Sequence, residues 1–322
     1  MKAARIIVFA GLSFAFGCGA QLSDGAEANA VDGGLGVPEC FSSSECPVGW
    51  TCTDLGTCQA PPGDTNPDTD AGLPPEVERE FTQPQSALRY LYVAMTDLDA
   101  VARIDGKTLE VTSIEVGEAP RVVATAPGTD TAVVLDSENG AATILRPTAN
   151  SNLKVTLATL PHLNRIAMSP TGTYAIAWFD LNQAIADAGS LEQVGQLGSF
   201  QDVTLLDLSE AGGERAVDLT VGFRPRKVAL TGDGHYAMVI TEDGISVIDV
   251  AAAFSAGPHT SAPIPLSDDP FADPASFEVD VVRSGEIAVV RQSDQASVRI
   301  IDLLGDNAGQ ARDVALPGVP TD

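Results

Sequence analysis

The 322-residue chain has few basic residues, few histidines and few aromatic side chains. Only 18 lysines and arginines oppose 44 aspartates and glutamates, which gives a formal net charge of −26. Phosphate-rich and anionic-lipid surfaces repel a protein of this charge, and no basic stripe in the sequence reverses the effect locally. Nucleic acid is therefore excluded as a partner, and electrostatic attachment to a membrane is unfavourable.

Common catalytic motifs are missing as well. The sequence has no HExxH pair, no Gly-x-Ser-x-Gly elbow, no phosphate loop and no dinucleotide fingerprint. Its three histidines, His162, His235 and His259, fall in separate segments. A turn histidine is more often exposed or hydrogen-bonded than ligand-facing, although a ligand-facing role for His162 and His235 stays open. We predict no catalytic residues, no metal site and no cofactor.

Long apolar runs are limited to the N-terminus. Lys2 and Arg5 precede an apolar stretch from Ile6 to Phe16, which is too short to span a bilayer as a permanent helix. With the Gly17-Cys18 pair that follows, residues 1–17 resemble a bacterial lipoprotein signal peptide. The resemblance implies lipid attachment, including palmitate, at Cys18. Two or more acyl chains are needed for stable anchoring.

Two localisations follow from this segment. The first is export and lipid anchoring to the cell envelope, at the outer membrane or the cell surface. The alternative is ordinary signal-peptidase cleavage after Ala20, which gives a secreted or periplasmic protein.

The five cysteines support the lipoprotein interpretation, because an odd number leaves one unpaired in an oxidising compartment. If Cys18 carries lipid, four evenly spaced cysteines remain, with turn residues between them. This spacing resembles the small disulfide knots that precede repeat domains in secreted bacterial proteins, and three connectivities are open. A zinc site is disfavoured because Cys-x-x-Cys pairs are missing and exported thiols oxidise. The four, in the segment 40–58, are Cys40, Cys46, Cys52 and Cys58.

Two segments are expected to lack a core. Residues 18–39 are predicted to be a flexible tether, and residues 59–87 a Pro/Asp-rich disordered linker. Between Ala60 and Gln85 there are six prolines and six acidic residues against one basic residue. Part of this stretch, DTNPDTD from Asp64, is similar to a calcium loop. The glycine required at the sharp turn is Thr69, however, so a solvated acidic linker is favoured.

Residues 88–322 consist of recurring β-type runs separated by Gly-rich turns such as PTGT and TGDG. Turn positions equivalent to Arg121 recur at intervals of 44, 61, 50 and 45 residues. Such periods fit the four-stranded blade of a β-propeller and not a helical repeat. One unit has too little apolar surface to be stable alone, so neighbouring units must stack. The sequence therefore predicts an all-β propeller of about five blades.

The repeats resemble the YVTN-type β-propeller repeats of bacterial secreted and surface proteins. The resemblance is carried by YLYVAMTDLDAVARID from Tyr90, VGEAPRVVATAPG from Val116, and later ISVID and VRIID. The second and fourth Pro-Arg sites depart from the pattern, as Asn164-Arg165 and Ala275-Ser276, and fewer than the usual seven repeats are present. Lactonase-like members use acidic and histidine residues at the channel mouth, and no such set stands in register here.

The sequence is compatible with a closed ring of blades and with an incomplete one. Five units have the three outer strands, whereas only four have an inner strand after a Pro-Arg-like turn. Either the segment from Val77 to Thr82 supplies the first inner strand, or the propeller is incomplete or truncated. The charge of that segment favours the second alternative.

Topology predicts a ligand-binding mouth. The turns that lead into inner strands and the loops between second and third strands open on one face, which gathers Arg121, Arg165 and Arg226. Converging arginines can bind a carboxylate or an acidic peptide, but a structural role in capping strand ends or pairing with aspartates is favoured, because Pro-Arg belongs to the repeat's own pattern. The insertion from Asp180 to Asp202 is expected on the same face, with a short helix that turns Leu181, Ile185 and Leu191 toward the body. A second insertion, from Ala251 to Ser276, is expected on the opposite face.

Two functions are compatible with these features. The favoured one is a non-enzymatic, lipid-anchored envelope protein whose propeller binds a protein or a surface polymer. The alternative is an extracytoplasmic propeller hydrolase, similar to the lactonases.

Overall fold

The computed structural model describes residues 46, 50–53, 56, 58–59, 81–126, 128–136, 138–148, 151–255, 259–282 and 284–320. The chain divides into two compact units, Met1–Glu76 and Val77–Asp322. The predicted signal peptide, lipid-attachment residue Cys18, tether and Cys40 lie outside the described residues, as does most of the predicted linker. No helix in the described part of the chain is long and apolar enough to cross a membrane.

The first unit contains a short antiparallel pair of strands, β1 (Thr51–Cys52) and β2 (Cys58–Gln59). A disulfide joins Cys46 to Cys58, and Cys52 is also disulfide-bonded. The prediction of disulfide bonding in this segment is thus confirmed. Trp50, on the described part of this unit, is 37% exposed.

The second unit is a β-propeller of five antiparallel sheets, which we number as blades 1 to 5 in chain order. Strands run from the inner to the outer edge of each blade in sequence order. Blade 1 comprises β3 (Gln85–Ser86), β4 (Tyr90–Met95), β5 (Ala100–Asp105) and β6 (Val111–Glu115). Blade 2 comprises β7 (Pro120–Thr125), β8 (Ala132–Asp136), β9 (Ala141–Pro147) and β10 (Asn152–Ala158).

Blade 3 comprises β11 (Arg165–Met168), β12 (Tyr174–Trp178), β13 (Asp202–Asp207) and β14 (Arg215–Thr220). Blade 4 comprises β15 (Lys227–Leu230), β16 (Tyr236–Thr241) and β17 (Gly244–Asp249). Blade 5 comprises β18 (Phe277–Val281), β19 (Ile287–Gln292), β20 (Ser297–Asp302) and β21 (Ala311–Ala315). The predicted all-β propeller of about five blades is confirmed.

The hairpins between first and second strands depend on glycine. In blades 3, 4 and 5 the turns contain Gly172, Gly234 and Gly285, whose φ angles are +72°, +75° and +75°. Only glycine adopts this left-handed backbone without steric cost, so the recurring PTGT, TGDG and RSGE phrases fix the hairpins.

The core lies between the blades. Second strands such as β8 and β16 are buried on both faces, whereas the outer strands β10 and β14 alternate toward solvent. Apolar clusters join blade 1 to 2, 2 to 3, 3 to 4 and 4 to 5. Among the described residues no such cluster joins blade 5 to blade 1. Trp178 is buried, and Tyr174 and Tyr236 pack against two of these clusters.

The first blade has an inner strand, contrary to the favoured expectation from sequence. Residues 81–86 run antiparallel to β4, through the Phe81–Met95 bridge, a hydrogen bond from Thr82 N to Ala94 O and the β3 pairing. This strand overlaps the end of the candidate segment from Val77 to Thr82. Its polar side chains are compatible with an inner strand because that strand borders a cavity rather than the core.

The two insertions are placed differently from one another. The first forms helix α1 (Leu181–Ala188), with Asp180 as N-cap, and a 3-10 turn (Leu191–Gln193). Leu181 and Ala184 pack against the blade 2–3 cluster, but Leu191 is 56% exposed, so its predicted inward orientation is wrong.

The second insertion runs along the outer edge of blade 4. Residues 260–264 run along β17 through the Ile248–Thr260 and Ile245–Ile264 bridges, and so occupy the place of an outer strand in blade 4. Residues 265–276 therefore emerge on the face that holds the start of each inner strand. The expected placement of the whole insertion on the opposite face is wrong for this part.

Candidate ligand-binding cavity on the upper face

The upper face is defined here by the starts of the inner strands and the loops between second and third strands. On it, two turns repeat the same construction. Gly117 approaches Asp136 so closely that an added Cβ would lie 2.5 Å from the carboxylate Oδ2, and Gly222 would place one 2.3 Å from Asp243 Oδ1. The glycine of the Gly-x-x-Pro-Arg phrase is therefore required by close packing against an aspartate of the neighbouring loop.

The turns then pass through a left-handed residue before the inner strand begins. Ala119 has φ +46° and Arg224 has φ +53°, which L-residues adopt at a cost. Two hydrogen bonds hold the turns in place, from Ala119 N to the Asp99 side-chain Oδ1 and from Arg224 N to the backbone Phe200 O. The arginine two residues later, Arg121 or Arg226, is thereby fixed at the upper end of its inner strand.

A cavity of about 1110 Å³ opens at the upper ends of the inner strands of blades 1, 2 and 3. One wall is the blade 1 segment from Thr82 to Gln85, and the floor includes Val122 and Val123. The opposite wall is the first insertion, through helix α1 and residues 193–196. The volume is at the upper end of the range for small-molecule sites, so a ligand of several residues or sugar units fits.

The three arginines of the predicted mouth are divided between two cavities. Arg121 and Arg165 line the large cavity, whereas Arg226 lines a neighbouring one of about 470 Å³ between blades 4 and 5. Arg226 donates from Nη1 to Pro274 O at 3.0 Å, and Arg165 bonds Gln183 and lies 3.9 Å from Asp180 Oδ2. Within the described part of the chain, Arg121 has no hydrogen-bond or ion-pair partner. The guanidinium most available to a ligand is therefore that of Arg121.

Several amide side chains line the same cavity. The side chains of Gln83, Gln193 and Gln196 make no hydrogen bond to any described residue. The Asn164 amide, by contrast, donates from Nδ2 to Asp180 O and accepts at Oδ1 from Asp180 N. These glutamines were not predicted as site residues from the sequence. No local signal identifies them, because one lies in a stretch of linker-like composition and two in an insertion without a repeat pattern.

The histidines stay apart. His162 lines the large cavity and has φ +60°, His235 lies 3.5 Å from Asp233 Oδ2, and His259 contacts Ser255. Among the described residues no group of three or more His, Cys, Asp or Glu side chains is arranged to hold a metal ion. The cavity has the means to hold an anionic group at Arg121 and to exchange hydrogen bonds with a polar ligand through its amides.

Comparisons with known proteins add little to this geometry. No protein-family model and no curated protein matches the chain. Among solved structures, hydrazine synthase of Kuenenia stuttgartiensis is 15% identical with a TM-score of 0.43, over 74% of this chain and 66% of that one. Apo AztD of Citrobacter koseri is 12% identical with a TM-score of 0.41, over 74% and 73% of the two chains. The Cps50 (Swd1) β-propeller domain of Myceliophteria thermophila is 12% identical with a TM-score of 0.38, over 74% of each.

The chain thus spans just under two thirds of the hydrazine synthase chain. Likenesses of this size carry nothing about ligand or chemistry. The fold defines the class, which is a β-propeller scaffold.

Proposed function

We propose that this protein is an extracytoplasmic, lipid-anchored binding protein, whose propeller holds an anionic group of a protein or surface polymer in the upper-face cavity. The observation that supports the proposal is Arg121, an exposed cation in the cavity wall with no partner among the described residues. In a chain of net charge −26, a guanidinium left without a carboxylate is available for a ligand.

The anchoring part of the proposal rests on the sequence. The YVTN-type repeats, the lipoprotein-like signal and the cysteine-rich segment together favour export and lipid attachment at Cys18. Attachment through acyl chains also suits the charge, because anionic headgroups repel the protein and each buried methylene contributes about 0.8 kcal/mol. Incorporation of labelled palmitate that disappears in Cys18→Ala is the expected result, and label that persists in the variant contradicts the anchor.

A second candidate is an extracytoplasmic hydrolase of the lactonase-like kind. Its support is that His162, Glu138 and Asp187 line the same cavity as Arg121. Turnover of a panel of lactones and aryl esters that is lost in His162→Ala would favour this candidate over binding.

Site-specific cross-linking in producing cells tests the binding function. A photo-reactive residue at Gln196, in the cavity wall, is expected to give a cross-linked product of defined mass. Arg121→Glu should remove that product, because it reverses the charge that holds the ligand.

Arg312→Glu is the matched control, since Arg312 is an exposed arginine on the outer strand β21 and has no partner among the described residues. It should leave the product unchanged. Equal yields in the Arg121→Glu and wild-type chains would refute the proposed site.

A further inference from the structure

Large exposed apolar side chains neighbour cavity-lining residues along the chain. Phe81 is 62% exposed and precedes the lining residue Thr82, Leu197 is 47% exposed and follows Gln196, and Leu191 is exposed two residues before Gln193. Phe223, in the turn before the inner strand of blade 4, is 38% exposed, and its ring lies 6.1 Å from that of Phe200 at an angle of 51°. We call Phe81, Leu191 and Leu197 the apolar rim.

The rim is more than scattered surface hydrophobicity. All three exposed phenylalanines of the described propeller, Phe81, Phe223 and Phe271, lie on the upper face, and Phe271 is 93% exposed. Apolar side chains that border a polar cavity are typical of a site that receives a ligand with both polar and apolar groups.

The polar lining matches a peptide backbone. The free amides of Gln83, Gln193 and Gln196 each offer a donor and an acceptor, which pair with the C=O and N–H groups of an extended chain. Gln83 stands on blade 1 and the other two on the blade 3 insertion, so both walls of the cavity carry such groups.

Charge and ring placement argue against a polyanionic saccharide. Glu138, which is exposed, and Asp187 lie in the cavity wall with Arg121, so a polymer with a carboxylate on every unit would place negative charges against them. The aromatic ring in the described lining is Phe179, which is 3% exposed and offers no open face for a sugar to stack on.

We infer that the cavity and its apolar rim bind an extended peptide segment of a partner protein, with one carboxylate at Arg121 and apolar side chains on the rim. The inference rests on the proposed function and narrows its ligand to one class. The carboxylate would form a charge-assisted, two-point hydrogen bond with the guanidinium. The rim residues would lose exposed surface on contact, which contributes affinity without specificity for charge.

Defined peptides test the inference. The full chain, purified in detergent, is applied to immobilised nonapeptides with a central Glu and Leu or Phe two positions to either side. One matched set replaces Glu with Gln, and another replaces the apolar residues with Ser. The wild-type chain is expected to prefer the first set over the Gln set by roughly tenfold, the effect of one charge-assisted hydrogen bond. It is expected to prefer the first set over the Ser set by roughly tenfold as well, the effect of the apolar surface that the Ser peptides do not bury.

Two variants separate the contributions. Arg121→Gln should abolish the preference for Glu over Gln and keep the preference for apolar flanks. The double variant Phe81→Ser, Leu197→Ser should abolish the preference for apolar flanks and keep the preference for Glu over Gln. Arg312→Gln should change neither preference.

Equal binding of all sets by the wild-type chain, or binding of none, overturns the peptide inference. Arg121-dependent binding to oligosaccharides of uronic acids, with no preference among the peptides, overturns it as well but leaves the proposed function standing. Loss of the cross-link at Gln196 in the Arg121→Glu variant tests the proposed function independently of the peptide-binding and oligosaccharide-binding measurements.

Discussion

Arg146 of blade 2 forms an ion pair with Glu214 of blade 3, and the side chains retain only 18% and 1% of their exposure. Arg146 stands where other blades have an aspartate at the end of the third strand, as in Asp105, Asp207 and Asp249. Burial lowers the pKa of the Arg146 guanidinium. Where other blades have an aspartate that accepts hydrogen bonds within its own turn, blade 2 therefore has an arginine whose buried ion pair joins two blades.

Glu214→Ala is expected to destabilise the propeller by about 3 kcal/mol, at the low end for a broken buried pair because Arg146 keeps some solvent contact. Urea unfolding followed by tryptophan fluorescence measures the change. Arg146→Met combined with Glu214→Leu should recover most of the loss, since no charge is then left buried without its partner.

The pair between Lys227 and Asp280 provides the comparison. Its side chains are 54% and 89% exposed, so Asp280→Ala should cost at most about 1 kcal/mol. A similar loss for Glu214→Ala and Asp280→Ala would show that burial of the first pair does not matter.

Gly117→Ala is expected to destabilise by about 1–3 kcal/mol, because the new Cβ cannot avoid the Asp136 carboxylate without moving the turn. Gly318→Ala is the control, since nothing lies within 4 Å of an added Cβ there. Thermal unfolding of the two variants distinguishes them, and an unchanged midpoint for Gly117→Ala would contradict the close packing. Arg121-dependent binding should weaken in the same variant, because the turn positions that side chain.

The blades were predictable and the cavity was not, for a physical reason. The central strands of the blades repeat because they bury both faces against neighbouring blades, and this imposes apolar runs between glycine turns that are visible in the sequence. The two walls that carry Gln83, Gln193 and Gln196 are under no such packing constraint. The arginine positions could be placed on one face from topology, but their division between two cavities depends on the insertions, which have no repeat to guide a prediction.

Residues 81–86 are a single strand that the composition of the sequence does not predict. Their composition, FTQPQS, is that of a linker, and only pairing with β4 reveals a strand. An inner strand that borders a cavity needs backbone partners more than apolar side chains, so hydropathy carries little information about it.

Tyr92→Phe is expected to cost about 1–2 kcal/mol, because the fully buried hydroxyl donates to Asp130 O at 2.7 Å and its removal leaves that carbonyl without the partner. Burial also raises the pKa of the Tyr92 phenol. Tyr174→Phe is a matched control, since the Tyr174 hydroxyl has no hydrogen bond to a described residue. Equal urea midpoints for the two variants would show that the Tyr92 hydroxyl contributes nothing.

Acid should weaken the lower turn of blade 1 through Asp105. The hydrogen bond from the Arg89 guanidinium, with those from the backbone N–H of Lys107 and Thr108, lowers the pKa of the Asp105 carboxyl to about 2. The unfolded chain has the ordinary aspartate pKa of about 3.9, so the contribution is complete above that pH and disappears as pH falls toward about 2. The stability difference between wild type and Asp105→Asn should therefore be constant from pH 7 to about 5 and shrink below about 4.

Urea unfolding at pH 7, 5, 4 and 3 measures this convergence. Asp306→Asn makes the same change of charge at an exposed site without hydrogen bonds to described residues, and its difference from wild type should stay small throughout. A wild-type advantage over Asp105→Asn that persists undiminished at pH 3 would mean that the carboxylate charge is not what stabilises the turn. The Arg89 side chain is 53% exposed, so added salt should reduce the advantage at pH 7, which separates the ion-pair contribution from that of the backbone N–H groups.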